Sequence, residues 1–147
     1  MSTETNTERG IVFRSTGSWY DVQDSSGENI LCRIKGKMRL KGLRSTNPIA
    51  VGDAVQFIRS KDGTGSIDSI EVRRNYIVRK SVNLSKETHI VASNLDRAYL
   101  IVTIAKPRTS SGFIDRFLVT AEAYGIPTTI VFNKFDLLSS DKEAMLR

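Results

Sequence analysis

Thr128-Thr129-Ile130-Val131-Phe132-Asn133-Lys134-Phe135-Asp136 decides how the C-terminal half of this chain is read. Five apolar or β-branched residues in succession predict a buried strand. The polar tetrapeptide after them predicts a sharp turn, and Leu137-Leu138 the start of a helix. Upstream, residues 98–104 (Ala-Tyr-Leu-Ile-Val-Thr-Ile) form a second unbroken apolar run, the pattern of a strand covered on both faces. Between the two, Ile114, Phe117, Leu118, Ala121 and Tyr124 recur at helical spacing, and Gly125 supplies a C-terminal stop. Phe113 and Phe117 are read as core residues of that helix. Strand, helix 113–124 and strand make a βαβ unit, right-handed by default, with Asn133 at its far end. In open α/β sheets, ligands bind at the carboxyl ends of strands.

Asn133-Lys134-Phe135-Asp136 resembles N-K-x-D, the guanine-specificity motif of GTPases. Guanine presents two adjacent N–H donors on its base-pairing edge, and one carboxylate, here Asp136, accepts both. Adenine would leave that carboxylate unpaired. Asn133 would contact the imidazole side of the base or tie the motif to a neighbouring loop, and the stem of Lys134 would cover the ring face. The alternative is a strand-to-helix turn in which Asn and Asp only cap the backbone.

GTP hydrolysis also needs a phosphate-cradling G-x-x-x-x-G-K-[ST] loop. None occurs in these 147 residues; Gly36-Lys37 is followed by Met38. Asp24-Ser25-Ser26-Gly27 fits the D-x-x-G pattern of a Mg²⁺-linked switch, but its Ser/Gly-rich setting between two predicted strands reads as a hairpin turn. Either the tetrapeptide is coincidental, or the motif order is permuted and the phosphate loop lies beyond Arg147. Ser140-Asp141-Lys142-Glu143 reads as a capping box followed by helix formers, so the chain is expected to stop inside a helix.

The N-terminal half has a different rhythm. Segments 10–15, 19–23, 29–40, 54–59 and 66–79, the last bent or split, alternate like short strands, punctuated by Gly27, Gly52, Gly63 and Gly65. That spacing predicts a small Greek-key barrel of the OB type. Val51-Gly52-Asp53-Ala54-Val55 reads as a turn leading into a strand, and residues 41–50 as a mobile loop. The expected organisation is a disordered leader over 1–9, an OB-fold RNA-binding domain over 10–80, a linker over 81–88, and a partial α/β GTPase domain of the P-loop type over 89–147.

Charge follows the same division. Residues 1–80 carry 14 basic and 9 acidic side chains, whereas 81–147 carry 8 and 7. Arg33, Lys35, Lys37, Arg39 and Lys41 occupy every second position, which places all five cations on one strand face. A row of phosphates would relieve their mutual repulsion, so these five are the candidate RNA contacts. The plainer reading is a solvated or aggregation-blocking edge. One of Trp19 and Tyr20 is expected in the core and the other as a stacking surface for bases.

At 39% hydrophobic and 26% charged residues, the composition is that of a globular chain able to form a core. No apolar run approaches membrane-spanning length and no signal peptide is evident, so the expected setting is cytoplasmic with no membrane partner. Cys32 is read as a small buried residue and His89 as a strand residue. One Cys and one His cannot build a zinc site, and no metal ligand or catalytic residue is assigned.

Taken in order, Cys32-Arg33-Ile34-Lys35-Gly36-Lys37-Met38-Arg39, Val51-Gly52-Asp53-Ala54-Val55, Ala92-Ser93-Asn94-Leu95-Asp96, Phe113-Ile114-Asp115-Arg116-Phe117-Leu118 and Asn133-Lys134-Phe135-Asp136-Leu137-Leu138 resemble the circularly permuted, small-subunit-dependent GTPases of 30S ribosome maturation. The resemblance spans roughly residues 10–140. It implies a barrel that docks on the 16S rRNA of the 30S subunit. It also implies a GTPase domain using GTP and Mg²⁺ whose guanine motif precedes its phosphate loop, and a C-terminal domain holding structural zinc. Apart from Asn133, Lys134 and Asp136, those last two modules are absent from this sequence, and the 147 residues alone are not expected to hydrolyse GTP. A non-enzymatic OB-fold RNA-binding protein with an α/β interaction module stays open beside it. The basic row makes a direct prediction. Changing Lys35, Lys37 and Arg39 together to Ala should weaken binding to structured rRNA and flatten its salt dependence, measured by filter binding across a salt series. An unchanged slope would make the row a solvated surface.

Overall fold

A computed structural model of the protein describes residues 6–34, 48–80 and 88–137. Five strands, β1 (Thr7–Thr16), β2 (Trp19–Asp24), β3 (Asn29–Ile34), β4 (Ala54–Arg59) and β5 (Gly65–Ile70), close into a barrel in the order β1-β2-β3-β5-β4. All neighbours are antiparallel except β3 and β5, which run parallel, and β1 closes the circle by pairing with β4. Each strand alternates buried and exposed residues, so a single interior is filled by Val12, Tyr20, Val22, Ile30, Phe57 and Ile67. The OB-type barrel expected from the turn spacing is present. Cys32 lies in that interior, where burial pushes its thiol up to about 11.

The boundaries differ in informative ways. Thr7, Glu8 and Arg9, assigned to the leader from sequence, already pair with β4. The loop expected over 41–50 ends in core residues, since Ile49 and Ala50 are buried; 41–47 lie outside the described residues, as do 81–87 of the expected linker and the expected capping box at 140–143. The segment over 66–79, read as bent or split, is split into two strands: β5, and β6 (Tyr76–Lys80), which pairs antiparallel with β7 (Thr88–Ser93). The chain forms two compact units, Met1–Leu95 and Asp96–Arg147.

Asp24-Ser25-Ser26-Gly27 is the tight β2–β3 connection, as its composition suggested. The Asp24 carboxylate accepts from the Ser26 hydroxyl and from the Ser26 and Glu28 amides, and these bonds hold its pKa below the usual range.

One polar group lies where the barrel interior meets residues 71–95. Asp53 is fully buried and its carboxylate takes four donors: Nε and Nη2 of Arg73 at 2.7 and 2.6 Å, the Ser93 hydroxyl at 2.6 Å, and the Ala50 amide at 2.8 Å. Arg73 also donates to the Pro48 carbonyl at 2.9 Å. Gly52, at φ +90°, lets the backbone lie against the Ser93 carbonyl where any Cβ would collide. Around it, the Asn94 amide side chain donates to the Gly52 carbonyl, and Asn75 bonds both the N–H and the C=O of Leu95.

In the second unit β8 (Ala98–Thr103), α1 (Ser111–Ala123) and β9 (Thr128–Asn133) form the expected βαβ unit, with β8 and β9 parallel and Thr103 opposite Asn133. Gly125 ends the helix at φ +63°. Burial departs from the sequence reading. On β8, Ala98, Leu100 and Val102 are covered while Tyr99 and Ile101 are exposed, and on β9 Ile130, Val131 and Phe132 are exposed. A run apolar on both faces needs cover on both. The described sheet has two strands and one helix against it. For the same reason Phe113, read as core, is half exposed and its ring meets Phe117 with centroids 6.4 Å apart. The Asp53 network makes a stability prediction. Arg73→Met leaves a buried carboxylate without its charge partner and should cost about 3–5 kcal/mol in denaturant unfolding. Loss of less than about 1 kcal/mol would show that water reaches Asp53.

Candidate functional site

The carboxyl ends of the parallel strands β8 and β9 bring two loops together. After β8, the chain is pinned back on itself: the Thr109 amide donates to the Thr103 carbonyl at 2.8 Å, and the Thr103 amide to Thr109 Oγ1 at 3.0 Å. The Thr103 hydroxyl also donates to the Pro107 carbonyl. Ser110 then caps α1, its side chain accepting from the Phe113 amide.

After β9, Asn133 Oδ1 accepts from the Lys134 amide at 2.8 Å. Lys134 adopts φ +58°, a left-handed conformation uncommon for a residue with a side chain. Two bonds offset that cost: the Asn133 cap, and the Leu137 amide donating back to the Lys134 carbonyl at 3.1 Å. Phe135–Leu137 is a single 3₁₀ turn. Lys134 Nζ reaches across to donate to the Lys106 carbonyl at 3.2 Å, joining the two loops.

Asp136 is the exception among the three motif residues. Asn133 and Lys134 are engaged in shaping the turn, whereas the exposed Asp136 carboxylate makes no hydrogen bond or ion pair among the described residues. The turn-only alternative accounts for Asn133, which does cap the backbone. Among the described residues it gives the Asp136 carboxylate no partner. The Lys106 carbonyl and the Thr103–Thr109 lock carried no sequence signal, because a backbone carbonyl belongs to every residue and threonines are ordinary in strands and loops.

Of the five candidate RNA contacts, Arg33 lies exposed on β3, and Lys35, Lys37, Arg39 and Lys41 fall outside the described residues. Between the two candidate stacking residues the barrel decides: Tyr20 is in the core, its hydroxyl donating to the Gly17 carbonyl, and Trp19 is half-buried at the surface. The Arg33 guanidinium carbon lies 3.7 Å from the centroid of the Trp19 ring. Among the described residues no cluster of three or more His, Cys, Asp or Glu side chains fits Mg²⁺ or zinc, and no helix is long and apolar enough to cross a membrane.

The family model described as RsgA GTPase matches residues 70–147, and that of the RsgA N-terminal domain matches residues 9–67. The chain belongs to the RsgA GTPase family. A small ribosomal subunit biogenesis GTPase RsgA of Flavobacterium psychrophilum is 58% identical over 140 residues, covering 93% of this chain and 42% of that protein. RsgA 2 of Bacteroides thetaiotaomicron is 55% identical over 134 residues, covering 91% of this chain and 43% of that protein. Among solved structures, YjeQ from Thermotoga maritima superposes with a TM-score of 0.71 at 35% identity, over 97% of this chain and 46% of that one. YloQ, described as a circularly permuted GTPase, superposes at 0.66 with 26% identity, over 99% of this chain and 48% of that one. The chain thus spans less than half the length of the RsgA relatives it matches. The barrel is the RsgA N-terminal fold.

The loop lock is testable on its own. Thr109→Val removes the acceptor of the Thr103 amide, a bond worth about 1 kcal/mol, so exchange of that amide should quicken about fivefold. Unchanged exchange would mean the loop is held by other contacts.

Proposed function

We propose that this chain is the RNA-binding barrel and base-recognition corner of a GTP-hydrolysing factor acting in late maturation of the small ribosomal subunit. Family membership and the names of the relatives support the reaction and the partner. The observation that carries the nucleotide assignment is the exposed Asp136 carboxylate, without a partner among the described residues, at the carboxyl end of a parallel strand. Asp136 accepts the paired N–H donors of guanine, Asn133 fixes the turn from which Asp136 projects, and the Lys134 stem covers the ring face. The barrel meets the 16S rRNA of the 30S subunit through Arg33 and, beyond the described residues, Lys35, Lys37, Arg39 and Lys41. The protein works in the cytoplasm.

Most nucleotide affinity comes from phosphate contacts, and these 147 residues contain no G-x-x-x-x-G-K-[ST] loop. We therefore infer that this stretch by itself binds GTP weakly and does not hydrolyse it. Mg²⁺ and a structural zinc ion belong to segments other than those described. In the complete GTPase, Asp136→Asn should lower GTP affinity about 10- to 100-fold and shift preference toward xanthosine triphosphate, whose carbonyl accepts from an amide. Competition binding reads both. An unchanged base preference removes the guanine assignment.

A further inference from the structure

The arginines on the outer wall of the barrel are not alike. Arg9 pairs with Glu71, Arg14 with Asp21, and Arg59 with Glu8, Asp24 and Glu28. Arg33 has no carboxylate partner among the described residues, and its guanidinium carbon lies over the Trp19 ring, 3.7 Å from the centroid. The register explains why these two meet. Tyr20 and Cys32 are opposite one another and both point inward, so the residues beside them, Trp19 and Arg33, share the outer face of β2 and β3. This is the face on which OB barrels receive oligomeric ligands.

A guanidinium lying on an indole keeps its N–H edge free for acceptors. It also covers an aromatic face that would otherwise be open to water. No carboxylate among the described residues ties it there, and a phosphate offers charge-assisted, two-pronged bonds that a ring face cannot match. Arg33 is therefore a placeholder that an incoming phosphate can draw aside. The indole face it uncovers has the size and polarity to stack a nucleobase. Only an unpaired nucleotide can use both halves of this arrangement, because duplex RNA keeps its base faces inside its own stack.

We propose that Trp19 and Arg33 form a stacking clamp for one unpaired nucleotide of single-stranded RNA, the base on the indole and its phosphate on the Arg33 guanidinium. The proposal rests on the RNA-binding reading of the barrel and narrows its ligand from backbone charge to a single-stranded segment. Trp19 is the only tryptophan in the sequence, so its emission reports the clamp directly. The 147-residue chain is titrated at fixed salt with oligouridylate, with a fully paired RNA duplex of equal phosphate count, and with inorganic polyphosphate.

Saturable quenching by oligouridylate alone is the expected result. In filter binding, Trp19→Ala should weaken oligouridylate about tenfold while leaving duplex affinity unchanged, and Trp19→Phe should recover most of the loss. Arg33→Gln should weaken oligouridylate several-fold and preserve the amplitude of quenching. Oligouridylate binding with Trp19 emission unchanged overturns the clamp and leaves the RNA-binding barrel standing. Equal quenching by the duplex overturns the single-strand assignment. Failure of every RNA to bind overturns both the clamp and the reading it rests on.

Discussion

The buried pair of Asp53 and Arg73 is the constraint around which the first unit is organised. A carboxylate with no solvent exposure, facing a guanidinium whose side chain is 8% exposed, persists only if its oxygens are saturated by donors. Here the donors come from three places far apart in sequence: the Ala50 amide, the Arg73 side chain and the Ser93 hydroxyl. Satisfying one charge therefore fixes where the end of the 41–50 connection, the β5–β6 connection and the end of β7 lie against the start of β4. An apolar residue at position 53 could pack there without selecting any of those neighbours. The pair supplies register, and the barrel core supplies the bulk of the burial.

This explains why functional and physical boundaries in the chain do not coincide. The RsgA N-terminal family model ends at residue 67 and the RsgA GTPase model begins at residue 70, yet the first compact unit runs to Leu95. The difference is residues 70–95. They are held to the barrel by Arg73 on Asp53 and by Ser93 and Asn94 on the turn at Gly52, while the side chain of Asn75 on the backbone of Leu95 ties the segment to itself. Sequence matched to the GTPase family thus completes the barrel's polar interior. Leu95, bonded through both of its backbone groups, is the last residue before the second unit begins.

Much of this was legible in the sequence, and the failures have physical causes. Period-two alternation and glycine spacing located the barrel strands because one face of each is buried, and helical spacing located α1. Burial in the α/β unit was overread: Ile130, Val131 and Phe132 are apolar on both faces of β9, but a strand is covered only as far as its neighbours reach. Asp53 was legible only as a turn residue, because nothing local reveals that Arg73 and Ser93 will surround it. Position 33 was placed on an outer face by alternation alone. Deciding between Trp19 and Tyr20 needed the β2–β3 register. At the candidate site, the tetrapeptide announced itself through residue types, whereas the anchoring of Lys134 on the Lys106 carbonyl emerges only when β8 and β9 stand side by side.

The central proposal is that the exposed Asp136 carboxylate, without a partner among the described residues, reads a base. A crystal structure of the complete GTPase with bound GDP tests it most directly. The account predicts both Asp136 carboxylate oxygens at about 2.9 Å from the ring N–H and the exocyclic amine of guanine, with the Lys134 stem along the ring and Asn133 still closing its turn. A base bound elsewhere, or an Asp136 carboxylate turned inward to cap its own backbone, would contradict it.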